Sequence, residues 1–316
     1  MSKRVLGVMA LSANRGAERR LAMGKRVLGV MCVALFLAAV PARADIIGPY
    51  TADANTLHLY HFDEGAGAGT VADSVSSGAR MLTASGGTQG AAAFSGFGSA
   101  YDLGTVPSTN GAYDTPTAQS LWQGADGAFT YEGIIKTEII AVINGDEQHV
   151  FTRDIDGRAF QFRVSNASGG PGELRFVKIG GGIEQFPITI PTTGDHAWAA
   201  DKWFHVAVTY NGSENTADNL KLYWTVADAA VTEANEIGSL MMTADIPAAT
   251  TSGTTAGNRS NNEMMRGLID ELRVSSIARG AGDFVFGQGQ APQPVPEPAG
   301  LGLIGLAALG LRRKRR

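Results

Sequence analysis

The sequence predicts one large all-β domain over residues 45–286, folded as a sandwich or jelly roll. Three observations carry that prediction. No long stretch keeps the period of an amphipathic helix. Short runs of alternating apolar and polar residues recur instead. Clusters of Gly, Ser, Thr, Asn and Asp, with 41 glycines in the whole chain, separate those runs. Many short strands between Gly-rich turns are the pattern of a sandwich, and the segment is long enough to bury a substantial core.

The strands follow in order. Leu57 to Phe62 opens the series and Thr130 to Thr137 comes next. Asp154-Ile155-Asp156-Gly157 reads as a hairpin turn leading into Ala159 to Val164. Strand side chains alternate between faces, so Phe160, Phe162 and Val164 share one side, with Gln161 and Arg163 on the other. That predicts a strand with one wet face. Glu173 to Ile179 is the next run. In Trp203 to Tyr210, Phe204, Val206, Val208 and Tyr210 line one face, and Trp203, His205, Ala207 and Thr209 the other. Neither face is strongly polar, so this is predicted as a central strand covered on both sides. Asn211-Gly212 marks a turn, Leu220 to Val226 follows, and Leu268 to Val274 closes the series. Thr232 to Asn262 is compatible with a strand pair or a loop.

Two segments flank the domain. Lys25-Arg26 precede the apolar run Val27 to Val40, and Ala42-Arg43-Ala44 supplies small residues at the cleavage positions. This predicts a secretory signal peptide within residues 1–44 and a mature chain starting near Asp45. Residues Lys3 to Met9 recur as Lys25 to Met31, which makes Met23 the better candidate start. Cys32, the single cysteine, lies in the apolar run and is expected to be discarded with it. The mature protein then has no disulfide, despite an oxidising destination. At the other end, residues 287–294 are rich in Gln, Gly and Pro and read as a flexible linker.

Residues 295–316 begin with Val295-Pro296-Glu297-Pro298. The apolar run Ala299 to Leu311 follows, then Arg312-Arg313-Lys314-Arg315-Arg316. At about 1.5 Å per residue the apolar run reaches only about 20 Å, against a hydrocarbon core of about 30 Å. The terminal cations stay cytoplasmic by the positive-inside rule. An ordinary membrane anchor or a disordered tail is the bland alternative. A proline motif, a short apolar helix and a basic cluster in that order resemble the PEP-CTERM sorting signal of Gram-negative bacteria. The resemblance implies export through the Sec machinery and reading of the tail by an exosortase in the inner membrane, which the chain meets only transiently. Delivery to the cell surface or extracellular matrix follows.

Without both ends, residues 45–311 hold 13 basic and 29 acidic residues, a net charge of −16. Such a surface repels nucleic acid and anionic lipid and attracts divalent cations. No nucleic-acid partner is expected.

A second resemblance rests on three blocks. His61-Phe62-Asp63-Glu64-Gly65-Ala66-Gly67 with Thr70-Val71-Ala72-Asp73-Ser74 comes first. Trp203-Phe204-His205-Val206-Ala207-Val208-Thr209-Tyr210-Asn211-Gly212 comes second. Gly267-Leu268-Ile269-Asp270-Glu271-Leu272-Arg273-Val274, running on to Ile277-Ala278-Arg279, comes last. In this order, over about residues 55–285, they resemble the concanavalin A-like, laminin-G-type jelly roll. One departure stands out: Tyr223 is followed by Trp224-Thr225-Val226 in place of the usual Asp-Gly turn, so a longer, irregular hairpin is expected there. The resemblance implies that the first and last strands lie side by side with a structural calcium between them. By position the candidates are Asp63 or Glu64 and Asp270, with carbonyls near Gly65 completing the six to eight oxygens that calcium takes. The alternative is that Asp270 only binds neighbouring backbone amides.

Other chemistry is poorly signalled. Glycosidases of this fold carry carboxylates alternating along one strand, about 5 to 10 Å apart, and no such run occurs. Asp270 and Glu271 are adjacent, so a regular strand sends them to opposite faces. Asp146-Glu147 and Asp154-Ile155-Asp156 are the other acidic clusters. No Gly-x-Ser-x-Gly elbow is present. His58 and His61 make a poor metal pair in a strand, and His149, His196 and His205 show no ligand spacing, so no zinc site is predicted. His205 reads as a satisfied core residue and Trp203 as a core aromatic. Tyr113, Trp122 and Trp198 are the candidate platform for stacking a sugar ring, against the alternative that they cover an edge. The leading expectation is a non-catalytic surface protein that binds polysaccharide or another cell-surface component. The alternatives are a structural matrix protein without a small ligand and an atypical glycoside hydrolase or lyase.

Overall fold

A computed structural model describes residues 48–284, apart from 76–79, 95, 107, 115–122, 124, 138–146, 156–158, 166–171, 201, 228–230, 232, 248–252 and 260–262. The predicted signal peptide, the predicted linker and the apolar C-terminal run lie outside the described residues. Among the described residues no helix is long and apolar enough to cross a membrane.

The described residues form strands β1 (Thr56–Tyr60), β2 (Thr70–Val71), β3 (Leu82–Ser85), β4 (Thr88–Ala92), β5 (Ser99–Gly104), β6 (Gly111–Tyr113), β7 (Phe129–Thr137) and β8 (Glu147–Ile155). These are followed by β9 (Phe160–Ser165), β10 (Glu173–Lys178), β11 (Glu184–Thr189), β12 (Phe204–Tyr210), β13 (Leu220–Val226), β14 (Glu236–Leu240), β15 (Gly253–Ala256) and β16 (Gly267–Ser275). Two eight-stranded sheets result. The first runs β14-β13-β12-β7-β16-β5-β4, with β1 also paired to β16; the second runs β11-β10-β9-β8-β15-β6-β3-β2. The all-β sandwich read from the sequence is the fold observed.

The seven predicted runs correspond to β1, β7, β9, β10, β12, β13 and β16. β12 lies between β7 and β13 and is buried along its whole length, as its two apolar faces require. The long hairpin expected after Tyr223 is present, since β14 begins only at Glu236 and its register against β13 slips between Leu222 and Tyr223. Thr232 to Asn262 contributes one strand to each sheet, β14 and β15, so it is not a strand pair.

The sheets meet over aromatic rings. Tyr131 of β7 stacks on Phe160 of β9 at 4.4 Å, and Phe129 stacks on Tyr131 at 4.4 Å. Ring pairs at this spacing add about 0.5–1.5 kcal/mol each beyond the burial of their surface. A second apolar cluster, including Tyr50, Phe97, Trp203, Tyr223 and Phe284, covers the opposite face of the first sheet. That sheet is therefore covered on both sides. In the second sheet one expectation fails. The predicted wet face of β9 is buried, with Gln161 3% and Arg163 5% exposed, because Asp154 and Glu147 of β8 pair with it and Arg259 pairs with Asp154 in turn.

Candidate functional site

The first and last strands are neighbours, with Tyr60 opposite Leu272 and Thr56 opposite Ser275. β16 shares this edge with a second strand, since its first residues pair with β5, Leu268 opposite Asp102 and Ile269 opposite Tyr101. Asp270 and Glu271 fall where one partner stops and the other starts. The strand bulges there: the register against β7 jumps between Asp270 and Arg273, and Glu271 takes a left-handed φ of 50°. A bulge breaks the two-residue alternation. The regular alternation that would send the two carboxylates to opposite faces therefore does not hold at this point. They act on each other electrostatically.

The notch collects further groups. Asp270 is fully buried; its Oδ1 accepts from the Glu271 amide at 2.8 Å, and its Oδ2 has no hydrogen-bond partner among the described residues. Burial, then the charges of Glu271 and Asp63, push the Asp270 carboxyl up to about 9. Asp63 sits just past β1, where its Oδ1 accepts from the Ser99 amide at 2.7 Å. Glu64 accepts from the Ala72 amide at 2.6 Å through Oε1, and its Oε2 is buried without a partner. Glu271 receives the Tyr50 amide at 2.8 Å and the His61 Nδ1 at 2.8 Å. The hydrogen bond to Glu271 raises the His61 pKa against the opposing effect of burial. Asp63 and Asp270 thus share one notch. His61 and Glu271 belong to it as well, which strand alternation concealed.

The aromatic candidates do not assemble into a platform among the described residues. Tyr113 ends β6 in the second sheet, half-buried, and its hydroxyl donates to the Thr109 carbonyl at 2.6 Å. Trp198 packs against the main core and donates through Nε1 to the Thr137 carbonyl of the first sheet at 3.3 Å. Trp122 lies outside the described residues, as do Val295 to Pro298 and Arg312 to Arg316.

Three other polar groupings are present. On the outer face of the first sheet, Glu132, His205 and Arg273 are fully buried, and the Arg273 guanidinium lies 4.7 Å from the centre of the Tyr50 ring. Glu132 Oε1 accepts from Arg273 Nε at 2.7 Å, and its Oε2 lies 3.2 Å from His205 Nε2. Beside this triad a cleft of about 300 Å³ is lined by Asn211, Asp218, Lys221, Tyr223, Glu236 and Arg279. On the outer face of the second sheet, Glu147 and His149 of β8 meet Glu263, and Arg163 and Arg259 each pair with one of the two carboxylates. Burial works to raise the Glu147 pKa, but the His149 hydrogen bond and the Arg163 charge hold it below the usual carboxylate range.

Two antiparallel sheets facing each other over an aromatic core, with the first and last strands paired at one notch, define a concanavalin A-like jelly roll. The chain belongs to the concanavalin A-like lectin/glucanases superfamily, whose profile matches residues 107–283. Residues 294–316 match the PEP-CTERM protein-sorting motif, which marks an exported cell-surface protein of Gram-negative bacteria and implies processing by an exosortase. No curated protein matches the chain. Among solved structures it is similar to domain 4 of AbnA, an extracellular GH43 arabinanase of Geobacillus stearothermophilus, in complex with arabinotriose. The identity is 16%, over 74% of this chain and 98% of that one, with a TM-score of 0.44. A heptameric SAP-like pentraxin from Limulus polyphemus is 13% identical over 57% of this chain and 76% of its own, with a TM-score of 0.40. The binding domain of botulinum neurotoxin serotype D is 10% identical over 72% of this chain and 50% of that one, with a TM-score of 0.48. The superfamily holds both lectins and glucanases, so membership does not decide between binding and catalysis.

Proposed function

We propose that this is a non-catalytic surface protein that binds polysaccharide in the cleft on its first sheet and is stabilised by calcium at the β1–β16 notch. The observation that carries the binding reading is the cleft. Its amide, carboxylate and ammonium side chains are the groups that pair with sugar hydroxyls, and its volume of about 300 Å³ sits at the lower end of ligand pockets. The Tyr223 ring is only 2% exposed, so recognition there rests on polar contacts rather than on stacking.

The carboxylate pair on the second sheet does not support hydrolysis there. A glycosidase needs one carboxyl of its pair protonated at working pH. Glu147 and Glu263 are close enough to attract notice, yet each is clamped by an arginine and Glu147 is held ionised. An acid catalyst is not available from Glu147.

The notch residues fit calcium, a hard cation that takes carboxylate and carbonyl oxygens. Asp270 Oδ2 and Glu64 Oε2 are buried oxygens without a hydrogen-bond partner among the described residues, and Asp63 adds a second nearby charge. Asp63 and Asp270 would hold the ion, which would supply the positive charge that buried Asp270 lacks. Melting the purified protein with and without millimolar calcium, against a panel of neutral and acidic polysaccharides, tests both parts. Anything bound only by the folded state raises the midpoint. We expect a calcium shift that Asp270→Asn removes and a glycan shift that Glu236→Ala removes. A glycan shift untouched by Glu236→Ala would displace the site from the cleft. No glycan shift at all would favour a structural matrix role. A calcium shift that survives Asp270→Asn would refute the metal assignment.

A further inference from the structure

We propose that Glu147, His149 and Glu263 form a site for a divalent transition-metal ion of the zinc class on the outer face of the second sheet. This site is independent of the calcium notch and of the cleft.

The backbone brings the three residues together. Glu147 and His149 are two apart on β8, so alternation places them on one face. Glu263 arrives from the far end of the chain, where the His149 amide donates to the Glu263 carbonyl at 3.3 Å and a parallel bridge joins His149 to Met264. One ligand atom from each residue lies within 4.8 Å of the other two. His149 is fully buried, with Nε2 directed between the carboxylates, 3.4 Å from Glu147 Oε2 and 3.7 Å from Glu263 Oε2. Both distances exceed a good N–H···O bond of about 2.7–3.2 Å. They lie close to the spacing of about 3.4 Å between two ligands that each sit about 2.0–2.1 Å from one tetrahedral ion. His149 Nδ1 has no hydrogen-bond partner among the described residues. The imidazole is therefore buried in polar company without a strong bond at either nitrogen, which is costly unless something else engages it.

The neighbouring charges decide whether a cation is tolerated. Arg163 pairs with Glu147, and Arg259 pairs with Glu263 at 2.7 Å, each through the same Oε2 that faces His149, so an ion would share these oxygens with the guanidiniums; Arg259 also reaches Asp154 at 2.5 Å. The three carboxylates and two guanidiniums leave one net negative charge, so a dication changes the sign without stacking several uncompensated charges. The arginines also hold the carboxylates in place in the absence of the ion, while weakening its hold through like-charge repulsion. One nitrogen and two carboxylate oxygens suit zinc or cobalt, whereas calcium prefers an all-oxygen shell. Glu147 and Glu263 side chains are each 26% exposed, so three protein ligands leave a face from which a water or a ligand hydroxyl can complete the shell.

The untagged, chelator-treated full-length protein is titrated with Co²⁺, read by its visible absorption, and then with Zn²⁺ in competition, with millimolar calcium present throughout. We expect one ion per chain, a visible band that Zn²⁺ removes, affinity reduced at least tenfold in Glu263→Gln, and no change in Asp270→Asn. Glu263 is partly exposed and outside a strand, so Glu263→Gln should melt as the parent does without metal; Glu147→Gln serves as the second variant. Absence of saturable binding, or binding that neither variant weakens, would overturn the site and leave a purely structural ion-pair network. Binding lost in Asp270→Asn but kept in Glu263→Gln would overturn it as well.

Discussion

Replacing Glu132 by Gln would strand the Arg273 guanidinium inside the protein. Burial pushes Glu132 upward, but Arg273 and His205 outweigh it and hold the carboxyl at about 2, against 4.5 for the free group. A difference of about 2.5 in pKa, at about 1.36 kcal/mol each, corresponds to about 3 kcal/mol. Removal of one member of a buried pair usually costs about 3–5 kcal/mol, in agreement. We expect Glu132→Gln to lose about 3–4 kcal/mol in urea unfolding followed by tryptophan fluorescence. For a domain of this size that lowers the melting temperature by roughly 6–16 °C. Because the folded pKa is depressed, the stabilisation is present above the unfolded pKa of about 4.5 and is lost as pH falls towards about 2. The gap between parent and variant should therefore stay constant from pH 7 to about 5 and close below that. Adding Arg273→Met to Glu132→Gln removes the unpaired charge and should recover at least half of the loss. A loss below about 1 kcal/mol, or a gap that persists unchanged down to pH 3, would refute the reasoning from the ion pair.

Two other outcomes follow from the notch. Gly98 has φ +79°, and a Cβ there would lie 2.0 Å from Asp63 Oδ1, so Gly98→Ala should cost about 1–3 kcal/mol and abolish the calcium response; an unshifted melt would show that Asp63 is held elsewhere. His61 has a raised pKa through its bond to Glu271, so its stabilisation is complete below the unfolded value of about 6.5 and is lost as pH rises through the folded one. The melting gap between parent and His61→Gln should be widest near pH 6 and narrow by pH 9, and a gap constant across that range would count against this coupling.

The strands that could be read from the sequence are those whose alternation is clean and whose partners are apolar. β12 and β13 are of this kind, since Phe204, Val206 and Val208 face one layer without interruption. β8 escaped because its register slips between His149 and Phe151, which puts Glu147 and Phe151 out of phase for any regular pattern. β4, with the sequence TQGAA, offers no apolar period at all and is held by pairing with β5. The same physics limits the sites. Asp63 and Asp270 could be placed by resemblance because the first and last strands are neighbours. Glu271 was hidden by a bulge that no local sequence signal marks. Gln161 and Arg163 looked like solvent-facing residues because their partners, Asp154 and Glu147, are set by strand pairing rather than by nearby sequence.

The pairing of β1 with β16 has a mechanical consequence. Thr56 lies opposite Ser275, and the Ser276 amide donates to the Asn55 carbonyl at 2.8 Å, so the start of the first strand and the end of the last meet at one corner of one sheet. Force applied between the two ends would peel these strands apart one hydrogen bond at a time, the weakest way to load an antiparallel ladder. A pull applied to the domain's faces instead is shared across the first sheet, since β16 is also paired with β7 and β5.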